Sequence, residues 1–306
     1  MAKSRFAPDH GLTTRMLVTM FLLGLLYVAF IGILVSAGVS FAFVLLIAGG
    51  LMYAQYAFSD RIAMFSMNAH EVSPAEAPVL HGIVDRLCAL ADMPKPRVAI
   101  ADVDLPNAFA TGRDPNHAVV AVTTGIMRRL DESELEAVLS HELSHVAHRD
   151  VMVMTFAGFL GVAAGMLTRM FLYSGMWGGF GGGNRDGDDD GPPVWVIVLV
   201  VSMVVYAISF LLTRALSRYR ELSADRAGAI LTGRPSILAS ALVKISGEMS
   251  RIPTRDLRTA EPLNAFFFAP AIAPGLSLSS LFSTHPSLER RLEQLAQLEA
   301  QQGRRG

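Results

Sequence analysis

MLVTMFLLGLLYVAFIGILVS (Met16–Ser36) and VSFAFVLLIAGGLMYAQYA (Val39–Ala57) stand side by side near the start of the chain, and neither contains a charged residue. A hydrocarbon core of about 30 Å takes roughly 20 apolar residues in helical form, so each is long enough to cross a bilayer. VWVIVLVVSMVVYAISFLLT (Val194–Thr213) has the same character, and Val151–Tyr173 carries only Arg169, near the end where its head group snorkels to water. The pattern predicts a mainly α-helical protein with four transmembrane spans. Composition agrees: 306 residues are 52% hydrophobic and 17% charged, and the mean hydropathy is +0.40, too apolar for an ordinary soluble domain. A formal charge of -1 offers no bulk attraction for nucleic acid. The one cysteine, Cys88, excludes a disulfide framework and a cysteine-only metal cluster, and reads as a small buried apolar residue.

Basic residues gather on one side of the spans, with just Arg185 in the loop between the third and the fourth. Lys3, Arg5 and Arg15 precede the first, Arg61 follows the second, Arg149 precedes the third, and Arg214, Arg218 and Arg220 follow the fourth. By the positive-inside rule these flanks are cytoplasmic. Ser174–Pro193, rich in Gly and carrying Asp186, Asp188, Asp189 and Asp190, reads as a flexible external loop. A cleaved signal peptide at the first span is disfavoured, because its apolar run exceeds the roughly 7 to 15 residues of a signal core and a second run follows at once. The expected organisation is an N-terminal hairpin (1–58), a first cytoplasmic piece (59–150), a second hairpin (151–213) and a second cytoplasmic piece (214–306).

Within the first cytoplasmic piece, Val79, Ile83, Leu87, Cys88 and Leu90 give Pro78–Met93 a helical period. After Pro94 and Pro96 the period changes, and Arg97–Val103 and His117–Thr123 read as short strands of a small sheet. A further helix opens near Asp131, with Ser133 and Glu136 in capping-box spacing, and is expected to run through His148 directly into the third span.

That helix contains His141-Glu142-Leu143-Ser144-His145. Residues i and i+4 share a helix face, so both imidazoles reach one zinc ion while Glu142 stands beside it. Zinc lowers the pKa of a coordinated water from about 15.7 towards 7, and the carboxylate serves as general base for attack on a peptide carbonyl. A catalytic zinc site keeps three protein ligands and one open position. His148 is a poor third ligand, since a straight helix puts it about 10 Å from position 141 at 1.5 Å per residue. Glu221 is the better one: Glu221 and Asp225 are again i and i+4, so one carboxylate binds metal while the other accepts the remaining N–H of a ligand histidine. A second reading is a membrane scaffold or adaptor that binds zinc structurally, or binds client proteins, without hydrolysing anything. It is disfavoured because structural zinc is usually closed by four Cys or His ligands and Glu142 would have no task there. A transporter is disfavoured because only Arg169 is ionisable within the spans.

These motifs together resemble the HtpX-type membrane zinc endopeptidases, relatives of the CAAX prenyl protease. The resemblance rests on Asn107-Ala-Phe-Ala-Thr-Gly112, the HELSH helix, Ser217-Arg-Tyr-Arg-Glu-Leu-Ser-Ala-Asp225, and Ser283-Thr-His-Pro-Ser287 followed by Glu289, Arg290 and Arg291, in that order. It implies a zincin-like (gluzincin) α+β peptidase domain on the cytoplasmic side of a bacterial inner membrane. It also implies one Zn2+ per chain on His141, His145 and Glu221, Glu142 as the catalytic residue, and quality control of damaged membrane proteins under stress. Asn107, Ala108, Phe109, Ala110 and Thr111 then look like an edge on which substrate backbone pairs as an added strand. His285 and Arg291 resemble residues that stabilise the tetrahedral oxyanion, with His285 as an alternative cap on zinc. Phe266, Phe267 and Phe268 suit either the bilayer interface or core packing, and Leu288–Leu298 has the spacing of a packing helix.

Overall fold

The computed structural model describes residues 9–36, 40–176, 194–251 and 286–304. His285, Phe266 to Phe268 and the acidic run of the Gly/Asp-rich loop lie outside them. The described chain is mainly helical with one small mixed sheet. In order it comprises α1 (His10–Ser36), α2 (Phe41–Ala57), α3 (Ser59–Ser66), β1 (Ala69–Glu71), α4 (Pro78–Ala91), β2 (Arg97–Ala101) and β3 (Ala108–Thr111). There follow β4 (Val119–Thr123), α5 (Thr124–Arg129), α6 (Glu132–Ala147), α7 (Asp150–Met176), α8 (Val194–Thr232), α9 (Pro235–Arg251) and α10 (Leu288–Gly303). Contacts divide the chain into two compact units, Met1–Thr13 with Tyr56–Met152 and Arg214–Gly306, and Thr14–Gln55 with Val153–Thr213.

In the apolar unit, Leu23, Phe30 and Leu34 of α1 pack with Ala157, Leu160 and Ala164 of α7 and Val198 and Val205 of α8. The small residues on α7 let helix backbones approach closely, the usual basis of helix association in lipid. Among the described residues, two helices are long and apolar enough to cross a membrane: His10–Ser36, at mean hydropathy 2.6, and Val196–Thr232, at 2.7. A third arises if Glu132–Ala147 and Met152–Met166 form one broken span. This is fewer than the four expected. The second apolar run forms a helix of only 17 residues, and the third is interrupted just before its start.

The polar unit is organised by its sheet, in strand order β1-β2-β4-β3. β2 and β4 are parallel, while β1 joins β2 and β3 joins β4 antiparallel. Every residue of β4 is buried, as befits a strand covered on both faces. The alternation of strand side chains assigns the faces. Val98, Ala108, Val120 and Val122 join the main core with Leu80, Ile83, Leu139, Leu143, Leu238 and Leu242. Ala99, Phe109, Val119 and Ala121 face the other way, onto Ala63 and Met67.

Two departures from the sequence reading concern α6. Its cap is not Ser133 with Glu136 but Asp131 with Glu134: the Asp131 carboxylate accepts from the Glu134 N–H, and the Glu134 carboxylate accepts from the Asp131 N–H. Ser133 instead donates to Asp131 at 2.7 Å. The register differs because Asp131, whose ψ of 171° is extended, sits two residues before the serine and is an equally good N-cap type. Nor does α6 run on into α7. It stops at Ala147, and Arg149 takes a left-handed φ of 57° before α7 begins.

α8 crosses α6 where Gly228 meets the backbone at His141: a Cβ on Gly228 would lie 2.9 Å from the His141 nitrogen and 3.2 Å from its Cα. Gly228→Ala is therefore expected to cost about 1–3 kcal/mol of stability, the usual toll of overpacking, read as a lower unfolding midpoint in detergent. Gly247→Ala, in a helix interior with nothing within 4 Å of the added carbon, should raise that midpoint through helix propensity.

Candidate metal centre

The site is carried by two helices and a turn. On α6, His141 and His145 lie one turn apart with ring centroids 4.9 Å from each other and planes at 87°. α8 continues unbroken past its apolar part and brings Glu221 opposite them. Its carboxylate oxygens stand 3.6 Å from His141 Nε2 and 3.5 Å from His145 Nε2, and the donor atoms of all three residues lie within 4.8 Å of one another. Direct hydrogen bonds would normally be shorter. Ligands at 2.0–2.2 Å around a tetrahedral ion are separated by about 3.4 Å, so this spacing suits donors sharing one metal.

The opposite nitrogens explain how the rings are held. His141 Nδ1 donates to Asp225 Oδ1 at 2.8 Å, and Asp225 in turn accepts from Nε and Nη2 of Arg291, both at 2.7 Å. His145 Nδ1 donates to Asp150 Oδ2 at 2.7 Å, and that oxygen is 2.9 Å from Arg220 Nε. Each imidazole is thus backed by a buried carboxylate and a buried arginine. A proton on Nδ1 leaves Nε2 as the coordinating atom, and the bond fixes the ring plane.

Charge supports the same reading. Glu142, Asp150, Glu221 and Asp225 are buried around the site, against the buried Arg220 and Arg291. When ionised, these four carboxylates exceed the two guanidiniums by two charges, the deficit that one divalent cation fills. Burial opposes charge on His145, but its hydrogen bond with Asp150 and the nearby Glu221 carboxylate prevail and push its pKa up to about 10. His141 is likewise raised: burial works against the charge and Asp225 and Glu221 outweigh it. The Glu142 carboxyl is raised mainly by burial, while Asp225, despite burial, is held low by Arg291 and His141.

Glu142 points along α6 to the open edge of the sheet, where its Oε2 accepts from the Ala110 N–H at 3.1 Å. Because backbone groups alternate along a strand, Ala108 and Ala110 then face outward from β3, and Phe109 and Thr111 face β4. The Asn107 backbone is engaged with Thr123 on that inner side.

Of the residues singled out from sequence, His141, Glu142, His145, Glu221, Asp225 and Arg291 converge, and Ala110 touches Glu142. His148 is spent as the α6 cap, its Nδ1 on the Ser144 carbonyl at 2.8 Å. Arg291 stands behind Asp225. Sequence reasoning missed Asp150 and Arg220. On a continuous helix Asp150, five residues past His145, would lie about 140° round the axis and out of reach at 100° per residue. The left-handed turn at Arg149 makes the contact, at a conformational cost of the kind that collects at functional sites.

The fold and this donor set define an HExxH metallopeptidase held in a membrane. Residues 74–299 match peptidase family M48, and the chain belongs to that family. It is 56% identical to the protease HtpX homolog 1 of Streptomyces coelicolor over 98% of this chain and 97% of that one. It is 55% identical to the protease HtpX homolog of Moorella thermoacetica over 97% of each. The crystal structure of S. mikatae Ste24p shares the fold at a TM-score of 0.52 and 17% identity, covering 94% of this chain and 67% of that one. The protein is therefore a membrane metalloprotease, whose substrates are polypeptides, and the scaffold reading is not favoured.

If the Asp150 carboxylate orients His145, Asp150→Asn should weaken metal binding about 10- to 100-fold, the usual effect of losing such a partner. A competition titration with a chelating indicator reads this directly. Unchanged affinity in a folded variant would remove Asp150 from the site.

Proposed function

We propose that the protein is a zinc-dependent endopeptidase of the bacterial inner membrane that cuts damaged or misfolded membrane proteins as part of a stress response. In this reading the chain crosses the bilayer four times. Residues 1–58 and 151–213 form the two hairpins, and 59–150 and 214–306 assemble the peptidase on the cytoplasmic side. The observation that carries the proposal is the convergence of His141, His145 and Glu221 from helices far apart in sequence, with Glu142 beside them.

His141, His145 and Glu221 would hold one zinc ion per chain, through two nitrogens and a carboxylate, a donor set that leaves the open position typical of catalytic zinc. When bound, the ion supplies Lewis-acid polarisation and makes a water acidic near neutral pH. Glu142 moves the protons. Burial raises its carboxyl towards the working pH, which suits a group that takes a proton from the attacking water and gives it to the leaving amine. Its bond to Ala110 aims it at the strand edge. The stretch Asn107 to Thr111 serves as the substrate platform: Ala108 and Ala110 turn their backbone groups outward, so an extended polypeptide adds as a further strand and brings a carbonyl next to Glu142. His285 remains the candidate for stabilising the oxyanion. Arg291 acts on the reaction through Asp225, whose carboxylate it grips on both oxygens.

Purified in detergent and stripped of metal, the wild type should recover cleavage of an unfolded membrane substrate on zinc addition. Glu142→Gln should bind zinc equally yet cleave about 100- to 10,000-fold more slowly, the range contributed by a general base. Glu221→Ala should lose both binding and cleavage, and equal activity in wild type and Glu142→Gln would refute the mechanism. Protons and metal compete for the same imidazole nitrogens, and the surrounding carboxylates raise the pKa of both rings. Apparent zinc affinity should therefore fall steadily as pH is lowered from 8 to 6 in an equilibrium dialysis series, in about the manner expected of ligands that must shed protons to bind.

A further inference from the structure

The eight-residue helix α3 has two opposed faces. Ala63 and Met67 are buried against Ala99, Phe109, Val119 and Ala121 of the sheet. At i, i+4 and i+7 on the other side, Phe58, Ile62 and Phe65 are 44%, 47% and 87% exposed. Three large apolar side chains aligned on one helix face are not the scattered surface residues of a soluble domain. Arg61 lies among them with its guanidinium carbon 5.5 Å from the Phe58 ring centroid. Burial of Ala63 and Met67 against the sheet sets this face outward, and Asp60 on the flank of the helix pairs with Arg97 of β2.

Chain position identifies the occupant of that face. α3 begins two residues after α2 ends, and α2 is an uncharged apolar helix whose own Leu45, Leu46 and Leu51 are exposed. We propose that α3 is a membrane foot: Phe58, Ile62 and Phe65 sink into the boundary between acyl chains and headgroups, and Arg61 meets lipid phosphate. An aromatic and aliphatic face with a basic residue is the makeup of helices that lie in this layer. The inference rests on the reading of α2 as a span. It adds a function to the sheet, since Phe109, the middle of the open strand beside Glu142, packs on the buried side of the same helix. The foot sets that strand at the lipid surface, where a segment leaving the bilayer first becomes available for pairing.

The test uses the full chain in phosphatidylethanolamine/phosphatidylglycerol vesicles, with Cys88→Ala as background and a nitroxide attached through Leu46→Cys, Ile62→Cys, Phe65→Cys or Asn68→Cys in turn. Collision with oxygen, which dissolves in lipid, is compared with collision with a water-soluble nickel chelate. Positions 46, 62 and 65 should favour oxygen and position 68 the chelate. If 62 and 65 behave like 68 while 46 favours oxygen, the foot is wrong and the span stands. If 46 also favours the chelate, the span reading fails and takes the foot with it. Dipolar broadening at 65 would mean that a second copy covers the face, which also overturns the proposal. The double variant Ile62→Ser with Phe65→Ser should lose cleavage of a bilayer-embedded substrate several-fold while keeping cleavage of a soluble unfolded peptide. An unchanged ratio between the two would show that the foot does not deliver substrate.

Discussion

Two hydrogen bonds from imidazole Nδ1 atoms to buried carboxylates determine what the rest of the polar unit has to do. A histidine ring free to turn offers either nitrogen, and a metal site made from such rings would be neither selective nor rigid. Here Asp225 holds His141 and Asp150 holds His145. Burying those carboxylates is unfavourable unless each is matched by positive charge, so an arginine stands behind each: Arg291 from α10 and Arg220 from α8. The requirement reaches far along the chain. α10 is needed for Arg291, and α8 must lie close enough to α6 to supply Glu221, Asp225 and Arg220 at once. Gly228 is what allows that approach.

Much of this was legible beforehand, for reasons that differ by residue. His141, Glu142 and His145 are readable because helix geometry turns a spacing of four into a shared face. Glu221 and Asp225 repeat that spacing, and the family resemblance marked them as partners. The strands near Val98 and Val120 announced themselves by β-branched residues, whereas β3 lies in what reads as a connecting segment, and only the family resemblance implied an edge at Asn107 to Thr111. Asp150 was hidden by a single backbone angle. Nothing in Arg149 as a residue type signals a left-handed conformation, and on a continuous helix the aspartate would point away from His145. The capping register of α6 was misread for a simpler reason, since Asp131 and Ser133 are both good N-caps and only the backbone decides between them.

The sheet has a division of labour that follows from strand alternation. One face of β2 and β4 joins the core that supports α6, and the other rests on α3. The edge strand β3 belongs to both environments, with Phe109 directed to the α3 side and Ala110 bonded to Glu142. A shift of β3 by one residue would exchange these roles. The pairing of Asn107 with Thr123 through both backbone and hydroxyl secures the register at its start.

The order of the ligands along the chain has a temporal meaning. His141 and His145 leave the ribosome well before Glu221, and Glu221 lies on the same unbroken helix as an apolar segment long enough to cross a membrane. Until that segment and the stretch of helix after it have been made, a nascent chain holds only two of the three donors. Chain order alone therefore makes the apolar segment a prerequisite of the complete donor set, because its residues are all polymerised before the third donor.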